Sequence, residues 1–217
     1  MLKHLTKPPL IKKKNPQLFL FLHGYGGNEN DFFEFTNSNE LPPYFFFISL
    51  RALHNLNDTN GFCWYNINFS NLKIYNISQA LKSIKEIIKF ISEAILYYDL
   101  NKNKIWLCGF SQGAILSYAV AFHYPELVKN IIILSGFPDK NLLPKTKIKK
   151  ENYKTLDFFI SHGKNDAIIP LELAKTCTIL LDNYNINYLY KEYESAHNLN
   201  MDNYYDLTKW ITKKYCE

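Results

Sequence analysis

The sequence predicts an α/β fold with a mostly parallel central sheet flanked by helices. Short apolar runs bounded by turn residues alternate with longer segments of helical period, as in a sheet whose crossover connections are helices. Most of the runs are apolar nearly throughout, which is typical of parallel strands buried on both faces. The chain has 217 residues, 47% of them hydrophobic. We therefore expect a single domain over 1–217, with 1–16 as an N-terminal extension or edge strands.

Strands and helices are predicted in alternating order. The expected strands are 17–23, 44–50, 104–108, 130–135, 156–161 and 187–193, and the expected helices are 76–98, 112–123, 170–184 and 202–214. In the first helix, apolar residues recur at three- and four-residue spacing from Ile77 to Ile95 and predict one amphipathic face. Pro170 suits the first turn of the third helix. Residues 52–75 have no clear period, so we expect a long loop over one edge of the sheet, and such loops are often functional.

Charge and hydropathy limit the partners that the chain is expected to bind. The net charge is +5, with lysines at 12–14 and along 144–154. We interpret these lysines as solvated loop faces and predict no nucleic-acid partner. No apolar run approaches the roughly 18 residues needed to span a bilayer, so stable membrane insertion is not expected.

The cysteines and the N-terminal residues favour a reduced, cytoplasmic protein. The four cysteines are scattered without a CxxC pair, which suggests neither a zinc site nor a disulfide framework. The N-terminal segment is interrupted by prolines and has no apolar core like that of a secretory signal. A cytoplasmic location is therefore predicted.

Polar residues directly follow four of the predicted strands. The sequence HGYGG at 23–27 follows the first strand, Ser111 the third, His162 and Asp166 the fifth, and His197 the sixth. In a parallel sheet, ligands bind outside the carboxyl ends of the strands. A serine, an acid and a histidine are thus expected at one edge of the sheet.

The segment 109–113, GFSQG, matches the G-x-S-x-G turn of serine hydrolases. Its glycines leave room for a tight strand-to-helix turn that lifts the Ser111 hydroxyl clear of the sheet, at the positive end of the following helix. The partners of this turn follow in the chain order serine, acid, histidine. Ser111, Asp166 and His197 have that order, which predicts nucleophilic catalysis by serine.

Four motifs together resemble the phospholipase/carboxylesterase family of α/β-hydrolases, which includes the acyl-protein thioesterases. They are LHGYGGNENDF, GFSQGA, SHGKNDAIIP and the late His197, and the resemblance runs from about residue 17 to the C-terminus. It implies the small α/β-hydrolase fold without a large cap domain. It also implies hydrolysis of carboxylic esters or thioesters with no metal or organic cofactor, and it leaves a homodimer open.

The resemblance and the chemistry of acyl transfer together assign the catalytic roles. Ser111 would attack the acyl carbonyl once a neighbouring base removes its proton, and His197 would be that base. Asp166 would hold the imidazole in the right tautomer and stabilise its charged form. Activity should therefore fall at low pH as His197 becomes protonated.

The oxyanion hole and the substrate contacts are predicted in the same way. The resemblance and the turn geometry point to the backbone N–H groups of Tyr25 and Gln112 as oxyanion donors, so their side chains should matter less than that of Ser111. Gly24 and Gly26 would let the loop approach closely and are counted with Trp64 as substrate-binding. Trp64 matches a tryptophan in the loop that borders the family's active site, although a hydrophobic plug is an equal alternative.

Other polar residues compete for these roles. His162 is the main alternative base, but it precedes the acid and lies at a strand end, where a histidine bonded to the backbone is more common. His23 and His54 are interpreted as structural or pocket-lining. Asp157 lies at a strand start, on the opposite edge of the sheet, and Asp182 on a helix face.

Two further sequence features have structural interpretations. Residues 28–31, NEND, look like a capping box at a helix start, with Asn28 as the cap and Asp31 near its third position. Cys108 is expected to be a buried strand thiol. Cys63, in the long loop, is expected to be the cysteine that reacts with added reagents.

Three functions remain open from the sequence. The leading hypothesis is a serine hydrolase that acts on short- to medium-chain acyl esters or thioesters, which are small-molecule substrates. The second is a lysophospholipase or an acyl-protein thioesterase. The third is a hydrolase scaffold that has lost turnover and serves as a binding protein.

Overall fold

The computed structural model describes residues 1–38, 40–57, 59–67, 76–145 and 149–217. In these ranges the strands are β1 (His4–Lys7), β2 (Gln17–Leu22), β3 (Phe45–Leu50), β4 (His54–Asn55), β5 (Phe62–Cys63), β6 (Ile105–Phe110), β7 (Asn130–Leu134), β8 (Asp157–Gly163) and β9 (Asn187–Tyr193). The α-helices are α1 (Ile77–Tyr97), α2 (Gln112–His123), α3 (Leu171–Tyr184) and α4 (Met201–Cys216). Short 3-10 helices span Glu34–Asn37 and Lys150–Tyr153.

Seven of these strands form one sheet, in the order β1-β3-β2-β6-β7-β8-β9. All neighbours from β3 to β9 are parallel, so the six predicted strands and their parallel arrangement are confirmed. Strand β1 lies within 1–16 and adds an antiparallel edge to β3. The single-domain organisation stays a prediction. Strand β6 runs to Phe110 rather than to 108, because Gly109 and Phe110 still pair with β7 before the chain turns.

Helices cover both faces of the sheet, and alternate residues of each strand face opposite cores. On the first face, Leu18, Leu20 and Leu22 of β2 pack in a cluster with residues of α1, α2 and α3. On the second face, Phe19 and Phe21 pack in a cluster with residues of α4. Much of the second cluster is aromatic, and it accounts for part of the phenylalanine and tryptophan content of the chain.

The four predicted helices are confirmed, with one difference in how the first is buried. The side chain of Asn76 caps α1 by accepting a hydrogen bond from the N–H of Gln79 at 3.1 Å. The middle of the predicted apolar face is buried, but Ile77 and Leu81 near its start are exposed. The buried residues of α1 run from Ala80 to Ala94. In the described residues no helix combines the length and apolarity needed to cross a membrane.

The long loop expected over 52–75 contains an ordered hairpin. Strands β4 and β5 pair in antiparallel register, and the N–H of Leu56 donates to the carbonyl of Gly61 at 3.0 Å. The predicted loop therefore includes a short antiparallel pair of strands that the sequence analysis did not predict. The rest of the predicted loop includes residues 58 and 68–75, which lie outside the described residues, as do 146–148 and 39.

Candidate active site

Ser111 lies in the turn between β6 and α2. Its backbone has φ 51° and ψ −114°, a positive φ that residues with side chains rarely adopt, and its N–H donates to the carbonyl of Leu134 at 2.9 Å. A Cβ at Gly109 would collide with the backbone of Gly113, and a Cβ at Gly113 would collide with the carbonyl of Leu22. Both glycines are therefore needed for the turn that presents the serine.

A continuous chain of hydrogen bonds links Ser111, His197 and Asp166. The Oγ of Ser111 lies 2.9 Å from Nε2 of His197, and Nδ1 of His197 lies 2.6 Å from Oδ2 of Asp166. The other carboxylate oxygen of Asp166 accepts the N–H groups of Ile168 and Ile169, each at 2.9 Å. The side chain of Asp166 is fully buried, and these three partners, His197 and the N–H groups of Ile168 and Ile169, hold it in place.

The competing histidines have other partners. Nε2 of His162 donates to the carbonyl of Ile169 at 2.8 Å and lies 3.3 Å from Asp166, so this residue is a buried histidine bonded to the backbone, as expected. Nδ1 of His23 donates to the carbonyl of Gly24 at 2.7 Å, and its Nε2 accepts the N–H of Ala52 at 3.0 Å. Burial lowers the pKa of His23 and favours this neutral form.

The competing acids lie away from Ser111. Asp157, at the start of β8, forms an ion pair with Lys214 and accepts a hydrogen bond from Asn187. Asp182 accepts a hydrogen bond from the hydroxyl of Tyr188 at 3.1 Å. Asp157 therefore lies at the start of a strand and Asp182 on a helix, as the sequence indicated.

The two residues expected to supply oxyanion donors lie beside the serine. Tyr25 and Gln112 both line the cavity that contains Ser111 and His197. A Cβ at Gly24 would lie only 3.3 Å from Cβ of Ser111, so its absence lets the loop approach the turn closely. Gly26 has φ 80°, in the left-handed region that favours glycine. Neither glycine lines the cavity, and their part in substrate binding stays a prediction.

The cavity beside Ser111 has a volume of about 290 Å³ and a largely apolar wall. The apolar side chains of this wall belong to Ile67, Ile115, Phe137, Ile168, Ile169, Pro170 and Leu173. Tyr25 and Tyr65 add aromatic rings, and Asp139 adds one carboxylate, whose Oδ1 accepts from the backbone and side-chain nitrogens of Asn141. Such a wall suits an apolar group attached to a reacting carbonyl.

A sequence model of phospholipases and carboxylesterases matches residues 10–215, nearly the whole chain. The chain belongs to the phospholipase/carboxylesterase family. The predicted resemblance is thereby confirmed, and with it a carboxylesterase- or thioesterase-type hydrolase. The expected fold is confirmed as well, since the parallel sheet and its flanking helices are those of α/β-hydrolases and no cap domain occurs in the described ranges.

Relatives and solved structures of the family resemble the chain over most of its length. It is 27% identical to acyl-protein thioesterase 1 of Kluyveromyces lactis, across 90% of this chain and 91% of that protein. A Bacillus cereus carboxylesterase structure superposes with a TM-score of 0.81 at 23% identity, covering 98% and 94% of the two chains. Acyl-protein thioesterase 2 of Zea mays superposes with a TM-score of 0.77 at 19% identity, covering 98% and 99%. The two structural likenesses support the fold.

Trp64 does not line the cavity of this family member. Its side chain is completely buried, and Nε1 donates to the carbonyl of His23 at 2.9 Å. A fully buried ring is not available to a substrate, so the expected substrate contact is wrong and the alternative of a hydrophobic plug applies. The neighbouring Tyr65 lines the cavity instead.

Sequence reasoning missed the structural role of the Gln112 side chain. This side chain accepts the N–H of Trp64 at 2.8 Å and donates to the carbonyl of Tyr65 at 2.7 Å. It is almost fully buried at the start of the largely apolar α2. A buried amide in an apolar helix needs hydrogen-bond partners. A polar Gln112 at the start of this apolar segment could therefore have indicated a structural role.

The NEND segment is not a helix cap. Asn28 and Asp31 do form the expected bond between the N–H of Asn28 and Oδ2 of Asp31, at 3.2 Å, but turns and a 3-10 helix follow instead of an α-helix. Between them, Glu29 is buried and forms a bidentate ion pair with Arg51. The sequence interpretation missed this pair because its members are 22 positions apart.

The accessible cysteine is not the expected one. Cys63 is completely buried, and burial raises the pKa of its thiol to about 11, so the expectation of a reactive Cys63 is wrong. Cys108 is buried, as predicted, and burial raises the pKa of its thiol as well. Cys216 is the exposed cysteine. Within the described residues, no group of three or more His, Cys, Asp or Glu side chains is arranged to hold a metal ion.

Proposed function

We propose that this protein is a serine hydrolase that cleaves carboxylic esters or thioesters of short to medium acyl chains through an acyl-enzyme intermediate. The observation that carries the proposal is the hydrogen-bond chain from Asp166 through His197 to Ser111, which ends at an apolar cavity. Nucleophile, base and orienting acid are within hydrogen-bond reach of one another, as nucleophilic catalysis requires.

Acylation begins when the Oγ of Ser111 attacks the acyl carbonyl. His197 takes the serine proton on Nε2, and the buried Asp166 stabilises the imidazolium that forms. The backbone N–H groups of Tyr25 and Gln112 are the proposed donors to the negatively charged oxygen of the tetrahedral intermediate. His197 then gives its proton to the leaving alcohol or thiol, and the acyl group stays on the serine.

Deacylation repeats these steps with water. His197 removes a proton from a water molecule, whose oxygen attacks the acyl-enzyme carbonyl. The same oxyanion donors stabilise the second intermediate. Collapse of this intermediate returns the proton to Ser111 and releases the carboxylic acid.

The proposed acyl-chain preference is supported by two properties of the cavity. Its volume of about 290 Å³ is at the small end of the roughly 300–1000 Å³ typical of ligand pockets. Its wall is largely apolar, which favours an alkyl group over a charged one. These two properties support short to medium acyl chains.

A lysophospholipase or acyl-protein thioesterase is the second candidate. It is favoured by the relatives named acyl-protein thioesterase 1, such as those of Kluyveromyces lactis and Saccharomyces cerevisiae, each 27% identical to this chain. Long-chain substrates would then be preferred. A cytoplasmic location is proposed with either candidate, supported by four cysteines that are free and mostly buried. A homodimer stays a prediction.

The proposal is tested with a series of p-nitrophenyl esters from acetate to palmitate and matching thioesters. We expect turnover by the wild type that is lost in Ser111→Ala and retained in Ser92→Ala, a matched change at an exposed serine on α1. An optimum at short or medium chains supports the leading proposal, and an optimum at palmitate supports the second candidate. Folded wild-type protein without turnover would sink both and leave the binding scaffold.

A further inference from the structure

We propose that Arg51 is a positioning residue for the oxyanion hole. Through an ion pair with Glu29 and a ring contact with Phe62, it holds the loop 24–29 where the N–H of Tyr25 meets the oxyanion. This inference rests on the proposed function and names a residue on which its oxyanion hole depends. Arg51 itself lies outside the cavity wall.

The first contact is a bidentate ion pair between a buried glutamate and a partly buried arginine. Nε of Arg51 donates to Oε2 of Glu29 at 2.6 Å, and its Nη2 donates to Oε1. Glu29 is only 3% exposed. Burial alone would raise the pKa of Glu29, but the Arg51 guanidinium holds that pKa below its ordinary value, so the carboxylate stays charged. A buried carboxylate without such a partner is costly, so the pair ties the end of the loop to the end of β3.

The second contact joins the same arginine to the hairpin. The guanidinium of Arg51 lies 4.4 Å from the ring centroid of Phe62, within the range of a cation–π contact. The backbone of Phe62 in turn accepts the N–H of Gly26 at 2.9 Å and donates to the carbonyl of Gly27 at 2.8 Å. Phe62 therefore pairs with the two residues that directly follow Tyr25.

These contacts matter because two glycines, which have no side chain to pack, follow Tyr25, and Gly26 has a positive φ. The start of the loop is fixed by the buried His23. Its far end is fixed by Glu29 and by Phe62, and both contact Arg51. Moving a catalytic group by about 1 Å can cost on the order of a hundredfold in rate.

A general role in stability is the alternative, and the kinetic readout separates the two. Arg51→Met keeps the stem of the side chain but removes both contacts of the guanidinium. We expect kcat to fall between roughly tenfold and a hundredfold. KM should change little, because Arg51, Glu29 and Phe62 do not line the cavity. Glu29→Gln should cause a similar loss, and the double variant should lose little more than either single one. Arg51→Lys should rescue part of kcat.

A second ion pair provides the matched control. Lys214 pairs with Asp157 at the start of β8, and its side chain is 14% exposed, against 24% for that of Arg51. Lys214→Met removes this partly buried ion pair and should lower stability but leave kcat unchanged. Thermal unfolding of every variant shows whether it is folded at the assay temperature.

The deciding experiment combines hexanoyl-ester kinetics with amide hydrogen exchange of the segment 24–30. For Arg51→Met and Glu29→Gln we expect faster exchange in this segment together with lower kcat, and for Lys214→Met neither. If Arg51→Met or Glu29→Gln folds and has the kcat of the wild type, the positioning role is overturned. The proposed function is unaffected by that result, because the wild type still turns over the ester. A wild type without Ser111-dependent turnover overturns the proposed function and, with it, this role. If Arg51→Met does not fold, Arg51→Lys and Glu29→Gln carry the same test.

Discussion

The two sides of the site are held in place by different kinds of contact. The triad side comprises Ser111, Asp166 and His197, and the loop side comprises 23–29, 51–57 and 59–65. Each triad residue follows a strand of the parallel sheet, so the main-chain ladder fixes its position. On the loop side, β4 and β5 have two residues each, and side-chain contacts add to a few main-chain bonds in fixing the segments. Substitutions should therefore affect chemistry on one side and alignment on the other.

The largest expected effect is on the triad side, from Asp166→Asn. The amide oxygen of asparagine can still accept the N–H groups of Ile168 and Ile169. The neutral amide cannot stabilise the His197 imidazolium. We expect kcat to fall roughly 10⁴-fold with the fold intact. Ester kinetics and thermal unfolding measure this, with Asp182→Asn as the control. A folded variant within about tenfold of wild-type kcat would show that the acid lies elsewhere.

A smaller effect is expected where the two sides meet, from Gln112→Met. The substitution leaves the N–H of Trp64 and the carbonyl of Tyr65 without their side-chain partner. We expect the free energy of unfolding to fall by about 1–3 kcal/mol, with a modest loss of kcat because the backbone N–H of Gln112 remains. Urea denaturation measures the change. Gln79→Met is the control, since Gln79 accepts a comparable bond from the N–H of Asn66 at the exposed surface. An equal loss of unfolding free energy in both variants would contradict the role given to Gln112.

Substitutions of the neighbouring residues Trp64 and Tyr65 should have different effects, because Trp64 is a buried plug and Tyr65 lines the cavity. Trp64→Phe removes the indole bond to the carbonyl of His23 and should lower stability by about 1 kcal/mol without altering acyl-chain preference. Tyr65→Ala enlarges the cavity and should move the optimum to longer esters. The ester series and thermal unfolding report both. A shifted optimum in Trp64→Phe would return Trp64 to the substrate contacts.

The smallest effect is the pH dependence that His23 gives to the stability of the loop side. Burial holds the pKa of His23 below its ordinary value, so on acidification the unfolded chain binds the proton first. The contribution is present above the ordinary histidine pKa and is lost as the pH falls towards the lower folded value. The stability difference between wild type and His23→Gln should shrink over this range. Urea denaturation at several pH values tests this, and parallel curves would refute it.

The triad side was predictable because local patterns specify it. Apolar runs fixed the parallel strands, and the glycines around Ser111 marked the turn. The order of serine, acid and histidine then placed Asp166 and His197 at the same edge. Such signals are contained within a few residues or in the order of strands, so the sequence carries them directly.

The loop side was not predictable because its contacts join distant residues. The Glu29–Arg51 pair is 22 positions apart and Gln112 reaches back 48 positions to Trp64, and neither pair leaves a periodic pattern. The short β4–β5 hairpin likewise lacks the alternation that marks a longer strand. In such a segment nothing local shows that Trp64 points into the protein and Tyr65 into the cavity.

The most direct test of the central claim is to treat the protein with a fluorophosphonate and locate the adduct by mass spectrometry. We predict one adduct, on Ser111, formed by the wild type and by Ser92→Ala but absent from Ser111→Ala and from His197→Ala. Such labelling would identify Ser111 as the nucleophile activated by His197. An adduct on another residue, or a folded wild type that does not react, would contradict the account.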